Sequence, residues 1–144
     1  MVDANTLISG IVFHENEHKL LLSGKAKDVE LMTPEDAVDE VKKVIKIKFP
    51  EYVELIDIFI EVANIKIIER EIYQEDINKY EIVRDKKDRY LLAAAQGLCD
   101  IIVSGDKDLL TLKEYKGIKI VKTREVLDML KNFTKIKNQK NEPP

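Results

Sequence analysis

The sequence predicts an α/β domain built on a parallel sheet, and three observations carry that prediction. Short apolar, β-branched runs recur at VELMT (29–33), IKIIE (65–69), DIIVS (100–104) and IKIV (118–121), as buried parallel strands do. Longer helical patterns separate them, and strand–helix–strand repetition builds a layered α/β domain. At 144 residues with 44% apolar and 35% charged content, the chain is long enough to bury one sizeable core.

The elements follow in order. MVDAN (1–5) is a very short opening strand, and a leucine-rich helix is expected over about 15–24. After VELMT, Thr33 suits an N-cap, Pro34 the first helical position, and Asp36 a capping box, so a helix is expected over 34–47. Further helices are expected over 51–63, 74–83, 86–98 and 123–133, with Asp85 capping the one that starts at 86. The domain is therefore expected to span 1–133. The polar TKIKNQKNEPP (134–144) reads as a flexible tail.

Composition excludes several classes. No apolar run approaches the roughly 18 residues of a membrane span, and no basic region precedes an apolar one as in a signal peptide. Cys99 is the only cysteine, which rules out an intrachain disulfide and suits a reducing cytoplasm. The net charge of −3 does not advertise nucleic acid over the whole chain. HENEH (14–18) has the letters of a zinc-protease helix, H-E-x-x-H. A charged Glu17 at a middle position and the lack of a third histidine argue against that chemistry. A phosphoacceptor receiver fails as well, because its third strand should end in an aspartate and this one ends Glu69-Arg70-Glu71.

The informative residues are carboxylates on inward faces. Glu40 stands three residues after Ala37, one before Val41 and four before Val44, which puts it on an apolar helix stripe. Asp88 stands three and four residues before Leu91 and Leu92, again inward, although a first-turn acid also suits the helix dipole. Asp3 follows the first strand and Asp106 follows DIIVS. Ligands of open parallel sheets gather at such strand ends. Four converging carboxylates repel one another, and a divalent cation relieves that conflict. All-oxygen ligands select hard ions, Mg²⁺ or Mn²⁺ before Zn²⁺, in a site suited to phosphoryl chemistry.

VDANTLISG, TPEDAVDEV, RDKKDRYLLAAA, IIVSGDKDLL and GIKIVKTREVLDML, in that order over residues 1 to about 130, resemble the PIN-domain nucleases, in particular the prokaryotic branch of toxins related to VapC. The resemblance implies a three-layer fold with a central parallel sheet of about five strands between helices. It implies a metal-dependent endoribonuclease whose Mg²⁺ or Mn²⁺ is held by Asp3, Glu40, Asp88 and Asp106, with Asp108 as an additional acid. Asn5, Thr6 and Ser104 fall on polar positions that line such sites, Asn5 and Thr6 equally suiting the cap of the first helix. Lys86, Lys87, Arg89 and Lys107 flank the acids and are candidates to hold RNA, Lys107 foremost. The implied partners are an RNA substrate, a small antitoxin protein and a second copy of the chain, with no membrane. The rival reading is a PIN-like domain that binds RNA or protein without cutting. HENEHK departs from the family pattern, which has small residues there.

Overall fold

A computed structural model describes residues 1–26, 28–80 and 82–141. The chain runs α1 (Ala4–Val12), α2 (Asn16–Leu22), β1 (Met32–Pro34), α3 (Glu35–Lys48), α4 (Leu55–Val62), β2 (Lys66–Ile68), α5 (Arg70–Tyr73), α6 (Lys86–Ala95), β3 (Ile101–Val103), α7 (Lys107–Leu112), β4 (Glu114–Tyr115), β5 (Ile118–Val121) and α8 (Thr123–Asn141). Short 3₁₀ turns occupy Ser23–Lys25 and Pro50–Tyr52, and a longer one occupies Gln74–Tyr80.

The expected α/β architecture is present, but the five-stranded sheet is not one regular ladder among the described residues. β1 pairs in parallel with β2, while β3 pairs in parallel with β5, which carries β4 antiparallel on its other side. The opening segment makes no strand of its own. It stitches the two pieces: Val2 N–H donates to Met32 O at 2.8 Å, and Val103 N–H donates to Met1 O at 2.8 Å. The segment stops pairing at once because Asp3 already caps α1. β4 follows from a turn the sequence reading passed over. Lys116 and Gly117 both have positive φ, 49° and 83°, between paired Tyr115 and Ile118, which is the two-residue turn that closes a tight hairpin.

The β3–β5 pair has apolar cover on both faces. Neighbouring strand residues point to opposite sides. Val103 and Val121 join a core with Val2 of the opening segment and with Leu7, Leu21, Val41 and Ile56 from α1 to α4. Ile102 and Ile120 join another with Tyr73, Leu92 and Leu109.

Helix α3 starts one residue later than expected, for a tertiary reason. Thr33 belongs to β1 and is fully buried. Its hydroxyl donates to Val2 O at 3.0 Å instead of capping the helix. The cap comes from outside: Asp36 N–H donates to the Tyr73 hydroxyl at 3.1 Å, and Tyr73 donates back to the Asp36 carboxylate. In return, Arg70 N–H donates to Glu35 at 2.8 Å at the start of α5. The expected helix over 74–83 is a 3₁₀ turn through Tyr80, and residue 81 lies outside the described residues. α8 passes the expected end at 133 and runs to Asn141, with the last three residues of the tail outside the described set.

Thr33→Val keeps shape and burial but leaves Val2 O without its donor. We expect a loss of about 1–2 kcal/mol, roughly 3–7 °C in melting temperature, read by thermal denaturation.

Candidate functional site

The carboxyl ends of the stitched strands and the first turns of α3 and α6 enclose a cleft of about 250 Å³. Asp3, Glu40, Asp88 and Asp106 all line it, together with Asn5, Asp36, Asp85, Lys87 and Tyr90. Asp36, Asp85 and Tyr90 were not anticipated as wall residues, because their place depends on how α3 and α6 meet.

Two of the acids are fixed by the backbone that follows them. Asp3 caps α1, accepting from Thr6 N–H at 2.8 Å. Asp106 caps α7, accepting from Leu109 N–H at 3.1 Å. Ser104 ties the two together: its hydroxyl donates to Asp3 Oδ2 at 2.6 Å and accepts from Asp106 N–H at 3.0 Å. Ser104 is 1% exposed, so it orients the acids and offers nothing to a substrate. Thr6 is likewise buried, and its part in the site is the N–H that holds Asp3. Asn5 is exposed on the wall.

Glu40 and Asp88 come from the two facing helices, as their spacing predicted. Glu40 lies at the edge of the buried stripe of α3, its side chain 23% exposed, and accepts from Lys87 Nζ at 2.6 Å. Asp88 does not cap its helix. Asp85 does that, accepting from Lys87 N–H at 3.0 Å. One oxygen of Asp88, Oδ2, is buried and has no hydrogen-bond partner among the described residues. Burial, and then the charges of Asp106, Asp85, Asp3 and Asp108, push its carboxyl up to about 7.

The other candidates stand further out. Asp108 is exposed and faces Arg84 at 3.6 Å, contributing to Asp88 only through its charge. Lys86 and Lys107 are exposed and off the cleft wall. Arg89 is spent on the chain itself, donating to Val83 O at 2.7 Å. Arg70 reaches Asp36 at 2.9 Å and Asp39 at 2.5 Å, offsetting part of the acidic charge at the start of α3. That network went unread in the sequence. The signal was there: Glu35, Asp36, Asp39 and Glu40 crowd one helix start and need a cation.

HENEH is settled by placement. α2 begins at Asn16, so His14 lies outside the helix that a zinc-protease motif needs. His18 Nδ1 bonds Gly10 O at 2.8 Å, and its ring packs 5.6 Å from that of Phe59.

The cleft residues fit a hard divalent ion. The donors are carboxylate oxygens, and one of them is buried with nothing to bind. Among the described residues no three carboxylates close into a ready metal cage. Mg²⁺ also keeps several waters and does not require every ligand in direct contact.

Carboxylates at the ends of parallel strands, faced by carboxylates from two helices, define a class of acidic-cleft α/β domain. The family comparison is specific within that class: the PIN domain model matches residues 1–108, and the chain belongs to the PIN-domain family. PIN domains are usually nucleases, and those nucleases generally use divalent metals. A comparison with curated proteins finds no match. The family match spans all four acids and ends before β4, β5 and α8. No helix among the described residues is long and apolar enough to cross a membrane.

Asp88 gives a pH prediction. Its folded pKa lies above the unfolded value, so the unfolded chain loses the proton first. The metal-free fold therefore weakens as pH rises from about 4 to about 7 and levels off above. Asp88→Asn removes that term. We expect the metal-free variant to melt at least about 3 °C above the parent at pH 8, and within about 1 °C of it at pH 4.5. A helix-capping role for Asp88 gives the opposite sign at pH 8.

Proposed function

We propose that this chain is a metal-dependent endoribonuclease that hydrolyses RNA phosphodiester bonds, and that it serves as the toxin, of the VapC-related kind, in a toxin–antitoxin pair. One observation carries the nuclease reading: Asp88, which lines the cleft with Asp3, Glu40 and Asp106, has a buried carboxylate oxygen with no hydrogen-bond partner among the described residues. Membership of the PIN-domain family supports it.

In this reading Asp3, Glu40, Asp88 and Asp106 hold Mg²⁺ or Mn²⁺, directly or through water, and Asp108 adds negative charge from outside the wall. Bound there, the ion supplies a water of lowered pKa and offsets charge on the scissile phosphate. The protein's own groups do the positioning. Ser104 fixes the separation of Asp3 and Asp106 through its two hydrogen bonds. Asn5, on the wall, offers an amide to the substrate, and Lys107 offers a cation just outside. Attack in line leaves a 5′-phosphate and a 3′-hydroxyl. A small antitoxin would cover the cleft, and the protein would act in the cytoplasm, as a monomer or a homodimer.

Asp106→Asn separates chemistry from folding, because an asparagine oxygen still accepts from Leu109 N–H. We expect RNA cleavage with Mn²⁺ to fall at least about a hundredfold while the melting temperature stays within about 2 °C. Full activity in that variant overturns the site, and metal-independent RNA binding without cleavage by the parent favours a non-catalytic PIN domain. Ser104→Ala acts one step removed, and we expect a loss of about tenfold in cleavage as the two acids lose their common tether.

A further inference from the structure

Among the described residues that line the cleft, Lys87 alone carries a positive charge. It sits one residue before Asp88 on α6 and reaches across to α3, where its Nζ lies 2.6 Å from Glu40 Oε1. Its side chain is 62% exposed and that of Glu40 23%, so the ammonium enters from the mouth and stops at the nearest acid. Asp88 Oδ2 is left without a partner among the described residues.

A divalent ion that enters the cleft lined by Asp88 and takes Glu40 as a direct ligand meets Lys87 there. Two cations cannot share one carboxylate oxygen at contact distance without strong repulsion. We propose that Lys87 is a resident counter-cation which holds Glu40 in the metal-free protein and competes with the divalent ion for it, so that direct binding of the ion to Glu40 displaces Lys87. This rests on the metal-site reading above. The pair satisfies Glu40 while the cleft holds no ion, and it sets the affinity for the ion below what the four acids alone would give. Because the pair is partly exposed, its effect is modest and screened by salt.

The test is calorimetric titration of Mn²⁺ into the chelator-stripped full chain at pH 8 and low salt. The proteins are the parent, Lys87→Met, Lys87→Arg and Lys86→Met. Lys86 is the exposed neighbour off the cleft wall, so Lys86→Met changes net charge equally without touching Glu40. Lys87→Met should bind Mn²⁺ about twofold to fivefold tighter than the parent, while Lys86→Met and Lys87→Arg stay within a factor of about 1.5. The gain should shrink as NaCl is raised. Lys87→Met binding no tighter than Lys86→Met overturns the proposal and leaves the metal site standing. Absence of saturable Mn²⁺ binding by the folded parent overturns both. A melting curve of each metal-free variant confirms that the proteins compared are folded.

Discussion

The site depends on two backbone hydrogen bonds made by the first two residues. Val2 N–H reaches Met32 O, and Val103 N–H reaches Met1 O, which joins two short sheet pieces across a segment too brief to be a strand. Asp3 is the next residue, so this stitch delivers its carboxylate to the same edge as Asp106 after β3. Thr33 reinforces the stitch from β1, and the helix that follows β1 brings Glu40. Sheet pairing, helix α3 and the acid pair are therefore one arrangement. Ser104 then sets its fine spacing with a single hydroxyl.

Against that scaffold stands a local electrostatic conflict. The fold assembles six carboxylates around one cleft, and the four candidate ligands among them receive different amounts of relief. Asp3 and Asp106 have backbone N–H donors. Glu40 has an ammonium. Asp88 has burial and its neighbours' charge, and its carboxyl is pushed up accordingly. A buried polar atom left without a partner is costly, and where a fold retains one, binding is the physical reason to look for. At the start of α3, Arg70 pairs with Glu35, Asp36 and Asp39 and offsets part of their charge.

Local signals were legible in the sequence; those that depend on distant partners were not. The run IKIV is β5 residue for residue, and Asp85 caps α6 as its position suggested. Glu40 and Asp88 were readable as inward because helical spacing needs no tertiary knowledge. Thr33 was misread as a cap since its hydroxyl finds Val2 O, thirty-one residues away, and Tyr73 takes over the capping. Ser104 looked like a substrate group for a similar cause: its serine hydroxyl was visible in the sequence, but its burial between two acids was not. The single five-stranded ladder failed at its first strand, where Asp3 stops pairing to begin a helix. The β4–β5 hairpin was signalled by Lys116-Gly117, a turn pair that a search for parallel strands passes over.

In the proposed function, Asp88, held partly protonated near neutral pH, is the group a divalent ion takes up. Metal binding must then expel its proton. The direct measurement is the number of protons released on Mn²⁺ binding, from calorimetry in buffers of different ionisation enthalpy. With the carboxyl at about 7, about half a proton per chain should be released at pH 7, falling towards zero by pH 9. Asp88→Asn should release none at either pH. Mn²⁺ binding by the parent without proton release at pH 7, or with the same release in Asp88→Asn, would contradict it.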